Sequence, residues 1–198
     1  AVADLTFLPL GLDAWAGTYR VDTVRGSSYF LKARKRMKNL AGLLLPRFLH
    51  GEGIAQVVAP LPTMTQALSA EAAGYTLILY PFIAGSTGKQ IGMTSQQWTG
   101  LGAALRQIHT VTLPRELTQI MERDTFRIEY AAIVRDLGVY LSDGTLTPLV
   151  ARALATVWRE FQSEIRHLVA RGEELGGRLA QQAPEFVVCH TDIHTNNV

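Results

Sequence analysis

The last nine residues of the chain contain the side chains best suited to chemistry. They read His-Thr-Asp-Ile-His-Thr-Asn-Asn-Val, residues 190–198, and directly follow an apolar stretch. A carboxylate can orient an attacking hydroxyl group and accept its proton, and a neutral amide oxygen can hold magnesium on phosphate groups without adding a second base. Asp192 and Asn197, at the two ends of one short loop, therefore predict phosphoryl transfer, with Asp192 as the catalytic residue and Asn197 as the metal ligand.

Two other interpretations of this segment stay open. Asp and Asn both favour loops, so the pair could simply satisfy its own backbone. The alternation of His190, Asp192 and His194 could also bind zinc in a hydrolase, which would require further His or Cys ligands at motif spacing. We interpret His190 as a structural anchor of the loop. His194 is either a solvent-exposed loop residue or a neighbour of the substrate or nucleotide.

The first third of the chain has the pattern of strands. Residues 18–22 and 29–32 flank the turn signal Arg25-Gly26-Ser27 and predict an antiparallel hairpin. Residues 56–59 and 75–80 are two further candidate strands, each followed by a proline. Between these strands, residues 40–48 predict a short helix, a poor one because it contains Gly42 and Pro46.

After Gly85 the pattern changes to that of helices. Thr94 or Ser95 is a suitable N-cap for a helix that runs to about His109. A second helix is predicted from about Pro148 to Arg171, with Gly172 as its stop, and a shorter one over 173–182. Residues 186–189 predict a compact buried strand that leads into the loop.

These elements predict an α+β fold with two domains. Residues 1–83 are predicted to form a lobe with a small antiparallel sheet, and residues 84–198 a helical lobe that ends at the Asp–Asn loop. Two lobes joined by one connector create a cleft, which is where small ligands usually bind.

The overall composition excludes several classes of protein. Apolar residues make up 47% of the 198 residues and the formal net charge is only +2, so we expect a folded chain that binds neither nucleic acid nor a membrane. Cys189 is the single cysteine, which rules out an intrachain disulfide and favours the cytoplasm. The chain starts on Ala and stops directly after the loop, so we expect it to be a fragment.

The loop resembles the His-Gly-Asp-Leu-His-x-x-Asn-Val motif of the aminoglycoside phosphotransferase family, whose members are related to protein kinases. Thr191 replaces the usual Gly, which is tolerable if this position does not need a positive φ. Three further stretches resemble the family in order and spacing, namely 29–32, 77–85 and 101–109. The amino-acid sequence of residues 79–85 is similar to that of the spectinomycin phosphotransferase branch.

The resemblance implies a protein-kinase-like fold and a role for each matched residue. Lys32 would pair with the nucleotide phosphates, and the loop 12–18, with Gly17, would cover them. The carbonyl of Pro81 and the amide of Ile83 would bind adenine, with Tyr80 behind the ring. The implied cofactors are ATP, or GTP in its place, and Mg²⁺. The implied reaction transfers a phosphoryl group to a hydroxyl of an aminocyclitol or aminoglycoside antibiotic.

The sequence also departs from the family in ways that leave alternatives. No Asp or Glu lies between Lys32 and Glu52, so the usual carboxylate partner of the lysine is missing. A non-catalytic nucleotide-binding module is therefore one alternative, and a choline, homoserine or sugar kinase is another. A cationic antibiotic needs acidic walls, for which the local candidates are Asp136, Asp143, Glu173 and Glu174. The second magnesium ligand would lie past Val198.

Overall fold

The computed structural model describes residues 1–11, 13–35, 37, 39–142 and 146–198. The chain forms an α+β fold, as the sequence predicts. Its five strands are β1 (Val2–Leu8), β2 (Ala16–Thr23), β3 (Ser28–Arg34), β4 (Ala70–Ala72) and β5 (Tyr75–Pro81). Its six helices in the described residues are α1 (Ala41–Gly51), α2 (Gly88–Ile91), α3 (Ser95–Thr110), α4 (Arg115–Ile120), α5 (Ala131–Ser142) and α6 (Leu149–Gln182).

The strands form one antiparallel sheet in the order β1-β2-β3-β5-β4. The predicted hairpin is confirmed as β2 and β3, with Thr18 opposite Lys32. The predicted strand over 75–80 is confirmed as β5, in which Ile78 lies opposite Lys32 and Tyr80 lies opposite Phe30. Since residues directly opposite each other share a face of the sheet, these side chains all lie on one face.

The predicted strand over 56–59 is wrong, and the neighbouring prolines explain why. These residues form turns and irregular backbone, and the first backbone bond to β5 is made by Leu61, whose N–H donates to the Leu79 carbonyl at 2.7 Å. Pro60 and Pro62 on either side have no N–H to donate. The segment can therefore lie beside β5 without forming a ladder.

The helix predicted over 40–48 forms as α1 and continues to Gly51 in spite of Pro46. Leu43 and Leu49 are buried on its inner face, and the Asn39 Nδ2 atom donates to the Ile120 carbonyl at 2.8 Å, which ties the start of the helix to the end of α4. Tertiary packing of this kind outweighs a weak intrinsic helix propensity.

The chain divides into two compact units. One comprises residues 1–121 together with 187–198, and the other comprises residues 122–186. The first unit contains the sheet, helices α1 to α4 and the predicted catalytic loop, whereas the second is built on α5 and α6. Among the described residues, no helix is long and apolar enough to cross a membrane.

The second unit corrects two predictions about helix ends. α6 runs unbroken through Gly172, so the predicted stop and the separate helix over 173–182 are wrong. A Cβ at Gly172 would overlap the Ile128 side chain, and one at Gly176 would overlap the Phe126 carbonyl oxygen. These glycines therefore allow the segment before α5 to approach the helix, which is a different use of glycine from a helix stop.

This close approach predicts opposite effects for two neighbouring substitutions. Gly176→Ala should lower the free energy of unfolding by about 3 kcal/mol, because the new methyl group overlaps a backbone carbonyl that cannot easily move. Gly177→Ala should raise it by about 1 kcal/mol, because nothing lies within 4 Å of that position and Ala favours a helix. Urea denaturation of both variants measures the two effects, and equal values would contradict the packing argument.

Candidate active site

The predicted pair Asp192 and Asn197 is in direct contact. Asn197 Nδ2 lies 3.0 Å from Asp192 Oδ2 and 2.9 Å from the Asp192 backbone carbonyl. A carbonyl can only accept a hydrogen bond, so the amide group must direct its NH₂ towards Asp192. The side-chain oxygen Oδ1 of Asn197 therefore faces away and has no hydrogen-bond donor among the described residues. A carboxylate and a free amide oxygen on one short loop are a donor set that suits Mg²⁺.

The imidazole of His194 completes this group. Its Nδ1 accepts a hydrogen bond from the Asn196 amide at 3.1 Å, so the proton of the neutral ring lies on Nε2. Nε2 is 3.4 Å from Asp192 Oδ1 and 3.2 Å from Asn197 Nδ2. Since a protonated Nε2 cannot accept from the amide, the carboxylate is its partner. Asp192 is thus flanked by two side chains of its own loop while its carboxylate stays largely exposed.

The backbone at Thr191 is in the left-handed region, with φ of 65°. The replacement of Gly by Thr is therefore made at a position that does need a positive φ, where a β-branched residue is strained. The Thr191 hydroxyl donates to the adjacent His190 carbonyl at 2.7 Å. Strained backbone beside a predicted catalytic side chain is typical of sites whose geometry is held by the surrounding structure.

Relief of this strain gives a stability prediction. Thr191→Gly should raise the free energy of unfolding by about 1 kcal/mol, because glycine adopts this conformation at no steric cost. Thr195→Gly, on the same loop but without a positive φ, should lower it by about 0.5 kcal/mol or more. Thermal unfolding of the two variants measures the difference, and a loss of stability in Thr191→Gly would contradict the strain.

The short helix α2 anchors the loop to the segment that follows β5. The Gly88 amide donates to the Val198 carbonyl at 2.7 Å, and the Lys89 amide donates to the Thr195 carbonyl at 2.8 Å. A reciprocal capping box between Thr87 and Gln90 holds the start of this helix. The loop is therefore held through its own carbonyl oxygens, and the side chains of Asp192 and Asn197 take no part in these two contacts.

An apolar groove of about 560 Å³ borders the loop within the first unit. Its lining comes from α1, residues 56–58, α3 and the loop, and includes Leu45, Leu49, Leu105, Ile108, His190 and Asn197. The predicted buried strand over 186–189 is wrong, because these residues have no strand partner, although Val188 is buried. No described hydrogen bond of the His190 ring supports its interpretation as an anchor.

The sheet brings together only some of the residues that were predicted to bind the nucleotide. Lys32 and Tyr80 lie on the same face, one row apart. Burial, and then the nearby Arg34 guanidinium, lower the pKa of Lys32, while the Asp13 carboxylate opposes the shift. Burial raises the pKa of the Tyr80 hydroxyl, which Arg34 opposes. The Tyr80 ring meets Phe30 edge to face with their centroids 6.3 Å apart.

Three further residues, Gly17, Pro81 and Ile83, were predicted to bind the nucleotide. Gly17 belongs to β2 and lies opposite Ala33. A side chain at this position would therefore point to the opposite face of the sheet from Lys32. A Cβ there would lie 3.1 Å from the Tyr19 ring. Pro81 ends β5, and Ile83 follows it as an exposed residue. The loop predicted to cover the phosphates was residues 12–18, but residues 16–18 belong to β2. Only the part before Ala16 is a loop, and Leu12 lies outside the described residues.

Sequence reasoning missed a carboxylate whose charge acts on Lys32. Asp13, in the loop before β2, makes an ion pair with Arg34 in which Asp13 Oδ2 and Arg34 Nη2 are 2.9 Å apart. The expected acidic partner follows Lys32 in the sequence, whereas Asp13 precedes it. The hairpin register could have found it, since Ala16 lies opposite Arg34.

The zinc interpretation receives no support from the geometry. Within the described parts of the chain, no group of three or more His, Cys, Asp and Glu side chains is arranged to hold a metal ion. The contacts of Asp192 with Asn197 and His194 instead form a compact loop site.

A five-stranded antiparallel sheet that carries a half-buried lysine, followed by helices and an Asp–Asn loop, is a kinase-like arrangement. The chain belongs to the phosphotransferase enzyme family (APH), whose profile matches residues 6–198. The predicted family and the predicted kinase-like fold are thereby confirmed. A search of the curated proteins returned no match.

Solved structures agree with this family. The chain is 27% identical to spectinomycin phosphotransferase APH(9)-Ia in complex with ADP and spectinomycin, with a TM-score of 0.85 over 99% of this chain and 59% of that one. The AMP-bound complex of the same enzyme gives 26% identity and a TM-score of 0.81, over 99% and 60% of the two chains. An aminoglycoside phosphotransferase from Alicyclobacillus acidocaldarius shares the fold at 14% identity, with a TM-score of 0.50 over 84% of this chain and 50% of that one. The chain thus spans about three fifths of the length of spectinomycin phosphotransferase.

Proposed function

We propose that the whole protein is an ATP-dependent phosphotransferase that phosphorylates a hydroxyl group of an aminocyclitol or aminoglycoside antibiotic such as spectinomycin, and so confers resistance. The observation that carries this proposal is the contact of Asp192 with Asn197 on one loop, where the Asn197 side-chain oxygen has no donor among the described residues. The likeness to APH(9)-Ia, which was solved with ADP and spectinomycin, supports both the nucleotide and the acceptor.

In this reaction Asp192 orients the acceptor hydroxyl and accepts its proton. The acceptor oxygen forms a bond to the γ-phosphorus, and the bond from that phosphorus to the bridging oxygen breaks, which leaves ADP. Asn197 would hold a magnesium ion through Oδ1, and such an ion would supply positive charge to neutralise the phosphates. Catalysis rests on positioning and charge neutralisation, without a covalent enzyme intermediate.

The nucleotide in this proposal is ATP, with GTP as an alternative donor. Lys32 contacts the phosphates as a point charge, and Gly17 lies at the end of the loop that covers them. The Pro81 carbonyl and the Ile83 amide bind the adenine edge, with Tyr80 behind the ring. These roles correspond to a nucleotide-binding lobe over residues 1–83 and a partial helical lobe over residues 84–198.

The acidic walls for a cationic acceptor are only partly supported. Glu173 pairs with Arg135 at 3.0 Å, and Glu174 pairs with Arg171 at 2.7 Å, so two of the candidate carboxylates are already neutralised. Asp136 is exposed on α5, and Asp143 lies outside the described residues. We therefore expect most of the negative charge around the antibiotic to come from the part of the whole protein that corresponds to the remaining two fifths of APH(9)-Ia.

The test is a phosphorylation assay with the protein at the full length of its gene. ATP is supplied with magnesium and one acceptor at a time from a panel of spectinomycin, several aminoglycosides, choline, homoserine and simple sugars. Turnover with spectinomycin or an aminoglycoside supports the proposal. Turnover with choline, homoserine or a sugar alone would refute the antibiotic substrate, and tight ATP binding without turnover on any acceptor would indicate a non-catalytic module.

A further inference from the structure

Two cationic side chains, Lys32 and Arg34, lie side by side on one face of β3. They are two residues apart on one strand, so both point to the face that also carries Tyr80. The charge of Arg34 acts on both Lys32 and Tyr80. Among the described residues, Asp13 is the carboxylate whose charge acts on Lys32, and it forms an ion pair with Arg34. The cluster therefore has one positive charge in excess.

The guanidinium group of Arg34 is only partly satisfied. Its Nη2 atom is bonded to Asp13, but its Nε atom is buried and has no acceptor among the residues that the structure describes. A buried donor without a partner is costly, and such groups are rare in folded proteins. Arginine presents its donors as a planar fork that matches phosphate oxygens. Since the Arg34 side chain as a whole keeps 27% of its surface exposed beside Lys32, its other donors can bind an anionic ligand.

We propose that Arg34 is a second phosphate-binding residue, which contacts the β-phosphoryl group of the nucleotide beside Lys32. Before the nucleotide binds, the Asp13 carboxylate occupies part of the guanidinium and competes with phosphate for it. This inference rests on the proposed function, because it takes the nucleotide as the ligand. It also gives the phosphates a second cationic contact in a site where Lys32 has no acidic partner in α1.

The alternative role for Arg34 is purely structural, as an anchor for the loop before β2. The same loop is also held by the Lys35 amide, which donates to the Trp15 carbonyl at 2.9 Å. An anchor acts only through the ion pair with Asp13, so loss of either partner would have the same effect. A phosphate ligand acts through Arg34 alone. The two roles therefore make different predictions for Asp13→Asn and Arg34→Gln.

The experiment measures the dissociation constants of adenosine, AMP, ADP and ATP by calorimetry at one fixed magnesium concentration. The protein at the full length of its gene is compared with its Arg34→Gln, Asp13→Asn and Arg25→Gln variants. Arg25 lies in the β2–β3 turn, so its variant controls for the loss of one positive charge. Circular dichroism confirms that each variant is folded, and a misfolded Arg34→Gln is replaced by Arg34→Lys, which keeps the charge but loses the fork.

We expect Arg34→Gln to lower the affinity for ADP and ATP about tenfold to a hundredfold, which corresponds to the loss of one charge-assisted hydrogen bond. Adenosine and AMP should change less than twofold. Asp13→Asn should leave ADP binding unchanged or tighter, because it removes a carboxylate that competes with phosphate, and Arg25→Gln should have no effect. Arg34→Lys should also lower the affinity for ADP and ATP more than that for adenosine and AMP, but by a smaller factor.

Three results would overturn the inference. One is an unchanged ADP affinity in Arg34→Gln, and another is an equal loss for AMP and ADP. The third is the same loss in Asp13→Asn as in Arg34→Gln, which would assign Arg34 the anchor role. If the unmodified chain binds ADP but Arg34→Gln has no effect, only this inference fails. If the unmodified chain binds none of the four ligands, both this inference and the proposed nucleotide site fail.

Discussion

In the complete enzyme, Asp192→Ala should lower kcat by about 10²- to 10⁴-fold, the usual contribution of a general base. The affinity for ATP should stay within about twofold, because Asp192 is proposed to act on the acceptor hydroxyl and not on the nucleotide. Asp192→Asn keeps the size of the side chain and should be almost as impaired. Steady-state kinetics for kcat and equilibrium dialysis for ATP measure the two quantities separately.

The matched control for this prediction is Asp4→Ala. Asp4 is an exposed carboxylate on the edge strand β1, where it accepts a hydrogen bond from Thr6, and its loss should leave kcat unchanged. Full activity in Asp192→Ala would refute the catalytic role. A combined loss of activity and ATP affinity would instead show that the substitution disturbs the whole loop, which Asn197 and His194 stabilise by their contacts with Asp192.

The second large effect is expected for Lys32→Met. The affinity for ADP and ATP should fall about tenfold to a hundredfold, because a charged contact with phosphate is lost. Stability should not fall, since burial lowers the pKa of Lys32 and thus already penalises its charge in the folded chain. Loss of binding together with equal or higher stability is typical of a residue kept for function rather than for folding.

Lys35→Met provides the control for this substitution. Lys35 follows the end of β3, three residues after Lys32, and borders a separate cavity with Tyr19 and Ala33 on the opposite face of the sheet. It has the same charge and nearly the same place in the sequence, so it tests the face of the sheet alone. Equal losses of ADP affinity in the two variants would contradict the assignment of Lys32 to the nucleotide site.

Local patterns in the sequence were sufficient for the elements that depend on local signals. The turn signal at Arg25-Gly26-Ser27 predicted the β2–β3 hairpin, and Thr94 predicted the start of α3, where it forms a capping box with Gln97. Both features are decided within a few residues. The edge strand β1 was missed because its residues are exposed along most of their length and give no buried pattern to detect.

Long-range packing decided the elements that the sequence misplaced. Gly172 had the pattern of a helix end, but the contact that requires it comes from Ile128, more than forty residues earlier. α1 forms around Pro46 because Leu43 and Leu49 are buried by other parts of the chain. Such contacts cannot be inferred from spacing along one segment, so helix ends and weak helices were the least predictable features.

For the candidate site, the residue types were more predictable than the backbone around them. The spacing of Asp192 and Asn197 predicted their contact, because a short loop brings its two ends together. The positive φ at Thr191 was not predictable, since the residue present there argues against it. The ion pair of Asp13 with Arg34 joins residues 21 positions apart, and it is produced by the hairpin register. The roles of these residues remain predictions for the experiments above.

The two bonds from α2 to the loop make the backbone amides of Gly88 and Lys89 natural reporters of loop order. Their hydrogens exchange with solvent deuterium only when the bonds to the Val198 and Thr195 carbonyls open. Neither reporter carries a side chain proposed to touch the nucleotide or the acceptor. The exchange rates at these two sites therefore give the free energy of loop opening, with and without ligands, from an unmodified chain.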